Sequence, residues 1–178
     1  MVDVIDSSGL SINGSLLHYD EKKAHYVTVT AILVKDGKFL IAKRSPLEKS
    51  FPGRWTVPGG KLETSDYISR PKDTPDCWYN VLEDVVKREV KEEVNLDIRD
   101  IGYVTSMIFS RPEGIPGLII SLYATPICDH VKLSSELTEY AWVTLDEASN
   151  YDLIEGIYEE LEILDSKLKG ENKSWGKK

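Results

Sequence analysis

The sequence predicts an α/β (α+β) fold, and three observations carry that expectation. Short β-branched stretches alternate apolar and polar residues, the mark of a half-buried strand: Val27, Val29, Ala31 and Leu33 share one side of residues 25–34. Two later stretches repeat apolar residues at helical spacing, Leu82, Val85, Val86 and Val90 in one, and Leu153, Ile154, Ile157, Tyr158, Leu161, Leu164 and Leu168 in the other. The chain has 178 residues, which suits one domain with a full core.

Taken in order, residues 1–25 form an N-terminal extension. Asn13-Gly14 between short apolar segments predicts a hairpin there, covering a sheet edge or meeting a second copy in a homodimer. The domain occupies 26–169. Its first strand turns at Asp36-Gly37 and returns as Phe39–Arg44. A Pro, Ser and Gly-rich loop then leads to Trp55-Thr56-Val57 and a tight turn at Pro58-Gly59-Gly60. Thr74-Pro75-Asp76 has the form of a helix start, a capping threonine, proline in the first turn and an acid near the positive end, so a helix is expected from about Pro75 to Val94. Trp78 would open its buried stripe. Strands follow at 101–109, 118–125 and 139–143, with Trp142 inside, and a helix from about Leu145. Residues 170–178 form a flexible tail.

Composition narrows the function. A net charge of −8 argues against non-specific nucleic-acid binding, and an anionic ligand needs a metal or local Lys and Arg. No apolar run has membrane-spanning length and the N-terminus lacks a signal pattern, so the protein is expected in the cytoplasm. Cys77 and Cys128 lack metal-ligand spacing and are expected as reduced thiols.

The stretch Arg88-Glu89-Val90-Lys91-Glu92-Glu93 carries the chemistry. Residues three and four apart share a helix face, so Glu89, Glu92 and Glu93 cluster and repel unless a cation compensates them. Hard divalent cations take such oxygen ligands together with substrate phosphates. The alternative is a solvated acidic face.

With Gly60 upstream and Arg88, Glu89, Val90, Glu92, Glu93 and Leu96 downstream, the chain resembles the Nudix hydrolases. Their signature is a glycine, a glutamate, then Arg-Glu-aliphatic-x-Glu-Glu-x-Gly-aliphatic. Gly53-x-Trp55-x-x-Pro58-Gly59-Gly60 and Glu139-Tyr140-Ala141-Trp142-Val143 add to the resemblance, which spans roughly 26–165. It implies an α/β/α sandwich with a mixed sheet between helices. It also implies a Mg²⁺ ion, with Mn²⁺ as the substitute, on Glu89, Glu92, Glu93 and Gly60, and Arg88 bracing the loop against the helix.

Three departures stand out. Asn95 replaces the family glycine and is expected to cap the helix in a left-handed conformation. Residues 61–87, 27 in all, separate Gly60 from Arg88, about 14 more than in the signature. The glutamate before the helix is missing. Counting from Gly60 gives Asp66, counting back from Arg88 gives Asn80, and the acid-Thr-Pro match gives Asp73. Asp73 would lie roughly 10 Å further up the helix axis, so Asp66 is expected to pair with Arg88 or the metal shell, with 67–74 bulging beside the mouth of the site.

The implied activity is cleavage of a phosphoanhydride bond in a nucleoside diphosphate linked to another group, a nucleoside triphosphate or an ADP-ribose-like molecule. Pro112 lies near where the family's ADP-ribose hydrolases place a proline, while Trp55–Gly60 resembles the triphosphate-cleansing branch. Candidate bases are Glu93, Glu136 and Glu139. Lys43, Arg44, Lys61 and Arg111 are the candidate phosphate contacts. The alternatives are a nucleotide-sensing module that does not cleave, and an isomerase of the same fold.

Overall fold

The computed structural model describes residue 20 and residues 22–110, 114–171 and 174–175. The hairpin expected at 10–17, and Arg111 and Pro112, lie outside them. The strands are β1 (Tyr26–Lys35), β2 (Lys38–Arg44), β3 (Trp55–Thr56), β4 (Gly59–Lys61), β5 (Ile98–Phe109), β6 (Gly117–Pro126) and β7 (Leu137–Val143). The helices are α1 (Ser65–Ile68), α2 (Val81–Val94), α3 (Leu145–Ala148) and α4 (Ile157–Leu168). The sheet runs β3-β2-β1-β6-β5, with β4 added to β1 and β7 to β2. β1 and β6 are parallel and the other pairs antiparallel, so the sheet is mixed, as expected.

Period-two alternation along β1 splits the core. Val29, Ala31 and Leu33 face Val85, Val86, Val90 and Val94 of α2. Ile32 faces the other way, with Ile157, Leu161 and Leu164 of α4. One helix therefore covers each face, the expected α/β/α sandwich. Burying each of these valine, leucine and isoleucine side chains contributes about 1.5–3 kcal/mol. Among the described residues no helix is long and apolar enough to cross a membrane. Cys77 and Cys128 are exposed free thiols.

Two helices begin later than the sequence predicts. Thr74 does cap, but it caps a turn: its Oγ1 accepts the Cys77 N–H at 3.1 Å, and Asp73 and Thr74 both donate to the Cys77 carbonyl. Asn80 then adopts a left-handed conformation at φ 55°, and α2 starts only after it. Trp78 therefore stays off the helix stripe, packed on Tyr67 at 5.2 Å. The C-terminal helix likewise divides. Thr144 and Glu147 form a reciprocal capping box for α3. Trp55 then takes the backbone of the next segment, donating to the Asp152 carbonyl at 2.9 Å and accepting from Ile154 at 2.8 Å. Leu153 and Ile154 are thus outside the helix, and α4 begins after Gly156 at φ 95°. The Pro-Gly-Gly segment is also not a turn: Gly59 and Gly60 pair with Thr30 and Val29 as strand β4.

Asn95 ends α2 at φ 59°, its N–H bonded to the Lys91 carbonyl. Asn95→Gly is expected to be neutral or slightly stabilising and Asn95→Val to cost about 1 kcal/mol, read from denaturant midpoints. On the α4 face, Glu160 is 3 % exposed and accepts a 2.7 Å hydrogen bond from Ser121, which accepts one from Thr30. Burial pushes its carboxyl up to about 7, against the Ser121 hydrogen bond. A folded-state pKa above the unfolded value means the native state holds the extra proton, so stability falls as pH rises from about 4.3 to neutrality. Glu160→Gln should therefore stabilise by on the order of 3 kcal/mol at pH 8 and little at pH 4. Equal gains at both pH values would contradict this.

Candidate functional site

The packing of Val85, Val86, Val90 and Val94 sets the rotation of α2, and that rotation aims Glu89 and Glu93 at β4. Glu93 is 6 % exposed and its Oε2 accepts the Gly59 N–H at 2.9 Å. Glu89 lies flat against Gly60, where any Cβ would collide with its carboxylate. At Gly59 a Cβ would stand 2.5 Å from the Val29 carbonyl oxygen. The two glycines are thus dictated by close approach on both sides.

Arg88 holds this arrangement from outside. Its Nε donates to Asp66 at 2.6 Å, its Nη2 to Asp66 and to the Lys61 carbonyl at 3.2 Å, and its Nη1 meets Glu89 at 2.8 Å and Glu92 at 3.0 Å. Asp66 also accepts the Glu63 N–H at 2.8 Å. The pairing expected for Asp66 is therefore present. Asp73 instead bonds Arg70 and the Tyr79 N–H, closing the 70–79 loop, which Arg70 ties to Asp84 in the first turn of α2.

The charges follow from these neighbours. Burial would raise Asp66, but hydrogen bonds from Arg88 and Glu63 outweigh it and hold the carboxyl below its usual range. The Asp66 hydrogen bond strengthens the protonated guanidinium of Arg88. Burial raises Glu89 against the pull of Arg88, and Glu92 and Asp66 add to the rise. Burial pushes Glu93 up to about 7; the Gly59 N–H and Arg44 oppose this, while Glu89 and Glu136 reinforce it.

The structure thus brings Glu89, Glu93, Gly60, Arg88, Arg44 and Glu136 together. The loop carrying Glu136 is tied in by two backbone bonds, Ser134 N–H to the Glu93 carbonyl at 2.9 Å and Ser45 N–H to the Glu136 carbonyl at 2.7 Å. Glu92 sits at the rim, its side chain 59 % exposed. Lys43 and Glu139 are paired with each other at 2.7 Å, and Lys43 leans over Trp55, which packs on the α4 side. Neither faces the Glu89–Glu93 pair. Lys61 contributes its carbonyl here and sends its ammonium over the Tyr26 ring, 5.4 Å from the centroid. The Gly59 N–H and Lys61 carbonyl, two of the groups that fix the site, are backbone atoms that no residue pattern marks.

Among the described residues, no three His, Cys, Asp or Glu side chains converge to hold a metal ion as they stand, since Arg88 sits between Glu89 and Glu92. The donor set nevertheless fits a hard divalent cation. Glu89 and Glu93 are adjacent, largely enclosed carboxylates, both pushed up by burial, and they need positive charge beyond what Arg88 and Arg44 supply. Gly60→Ala should destabilise by about 2 kcal/mol or more, because the methyl displaces the Glu89 carboxylate. A denaturation curve matching wild type would contradict this.

Comparison with known proteins places these features. The NUDIX domain family profile matches residues 24–162. The nucleoside triphosphatase NudI of Escherichia coli is 26% identical over 136 residues, covering 70% of this chain and 86% of the relative. The crystal structure of the MutT protein from Methanosarcina mazei Go1 aligns at TM-score 0.60 and 27% identity, over 83% of this chain and 98% of that one. The NUDIX domain of Shewanella oneidensis NrtR, solved with ADP ribose, aligns at TM-score 0.63 and 20% identity over 89% and 99%, a likeness of fold alone.

Proposed function

The chain belongs to the Nudix family and is a Nudix-type pyrophosphohydrolase, and from that premise we propose that it hydrolyses a nucleoside diphosphate linked to another group, with Mg²⁺ or, in its place, Mn²⁺. The observation that carries the reading is the Glu89–Glu93 pair against Gly59-Gly60, braced by Arg88 and Asp66. Glu89 and Glu93 would hold the ion, with Glu92 at the rim and the Gly60 backbone beside them. When bound, the ion neutralises phosphate charge and activates water.

The chain's own residues supply the rest. Arg88 fixes β4 against α2 and so sets where a phosphate can lie. Glu93 is one candidate to accept a proton, its carboxylate aimed at β4 and held there by the Gly59 N–H. Glu136 is the rival base, close enough to raise Glu93. Glu139 is the weaker candidate, because it is bonded to Lys43 on the other face. Among the described candidates for phosphate contact, Arg44 is the one whose charge acts on Glu93, although Glu48 and the Ser50 carbonyl hold it now. The triphosphatase relative supports putting nucleoside triphosphates first, ahead of ADP-ribose.

The test is a panel of nucleoside triphosphates, ADP-ribose, other sugar nucleotides and dinucleoside polyphosphates, with and without Mg²⁺, following phosphate products. Metal-dependent release from at least one is expected; binding without release would favour a nucleotide sensor. On the substrate found, Glu93→Gln should lower kcat by at least about a hundredfold with the fold intact. Asp66→Ala should lower kcat far more than Asp73→Ala. Equal kcat values for those two variants would contradict the role given to Asp66.

A further inference from the structure

Helix α1 carries Asp66, on which the bracing of Arg88 depends, yet it adds no residue to either side of the core and no side chain caps its start. A helix of one turn does not hold by itself in water. What places it is charge. Its turn continues to Arg70, whose N–H bonds the Tyr67 carbonyl at 3.3 Å. Asp66 and Arg70 are four residues apart, as are Asp84 and Arg88 on α2, and that spacing puts both charges of each segment on one side. Asp66 pairs with Arg88 at 2.6 Å, and Arg70 with Asp84 at 3.4 Å. An acid and a base on one segment thus meet a base and an acid on the other, in antiparallel order.

This pattern favours one register. Sliding α1 by a turn in one direction along α2 would set Asp66 against Asp84. Sliding it in the other would set Asp66 against Glu92 and Arg70 against Arg88. Both slides bring like charges together. The loop from Arg70 to Tyr79 is built around the second pair. Arg70 donates from Nη1 to Asp73 at 2.9 Å and from Nη2 to the Tyr79 carbonyl, while its own carbonyl accepts the Trp78 indole N–H at 3.0 Å. Its Nε is shut off from solvent and meets the Asp84 carboxylate. Trp78 in turn packs on Tyr67 of α1. Lys87 also reaches Asp84, at 3.8 Å, but from the same helix, so it ties nothing across.

Resting on the hydrolase reading above, we propose that Arg70 and Asp84 are positioning residues for the reaction: their pair clasps α1 to α2 and so holds Asp66 on Arg88. The long segment between Gly60 and Arg88 supplies this clasp. A partly exposed ion pair contributes little to global stability, so its loss shows in α1 before it shows in the melting of the fold. The test uses Arg70→Met, which keeps the aliphatic stem, and Asp84→Asn, which keeps the shape. Each should speed amide hydrogen exchange in residues 63–69 about fivefold or more, with Tm within about 2 °C of wild type. On a substrate that wild type cleaves, each should lower kcat about threefold or more while KM stays within about twofold. In an Asp66→Ala background neither should change kcat by more than about 1.5-fold, because no carboxylate is left to position. The proposal is overturned if exchange in residues 63–69 matches wild type in both variants, or if both lower kcat by the same factor with and without Asp66. Exchange decides the clasp whether or not any nucleotide is cleaved, and the substrate panel reports separately on the hydrolase reading.

Discussion

The guanidinium of Arg88 joins three segments that are distant in sequence: Asp66 in α1, the Lys61 carbonyl in β4, and Glu89 and Glu92 on α2. Glu89 and Glu92 are neighbouring acids on α2 that repel each other, and the helix tolerates them because this cation stands between them. Asp66 has only 4% of its side chain exposed, so losing Arg88 would leave its carboxylate to the Glu63 N–H alone. The interaction therefore holds the loop on the helix and keeps the carboxylates assembled.

The glycine pair is the matching constraint from the other side. Glu93 reaches the Gly59 N–H, and Glu89 lies on Gly60, only because neither residue carries a side chain. Close approach also leaves both carboxyls poorly solvated, which is why burial leads the causes of their raised pKa values. Site geometry and proton affinity thus share one origin. The same logic separates neighbours along β2. Strand alternation sends Lys43 toward Trp55 and the α4 side, while Arg44 bonds Glu48 and the Ser50 carbonyl and its charge acts on Glu93, so two adjacent cations with equal standing in the sequence have different surroundings.

Long periodic segments were legible from sequence because burial writes a pattern into them, as in β1, β2, β6 and the valines of α2. Segments governed by backbone hydrogen bonds were not. A Thr-Pro-Asp start resembles a helix cap, yet Thr74 bonds the Cys77 N–H and Asn80 turns left-handed, and only the tertiary setting decides between these. Strand β4 is three residues long and mostly glycine, so it has no alternation to detect. The Glu89–Glu93 pair and the Asp66 partner of Arg88 were legible from spacing and tether length, whereas Glu92, expected in the same cluster, lies at the rim on Arg88. The separation of Glu139 from the carboxylates depends on how β7 pairs with β2, which spacing does not encode.

The central claim is that Asp66 acts through Arg88 and not independently of it. A double-mutant cycle on kcat, with Asp66→Ala, Arg88→Ala and both together, tests it most directly. The account predicts that the double variant is no slower than Arg88→Ala alone, within about twofold. Losses that multiply in the double variant would contradict it.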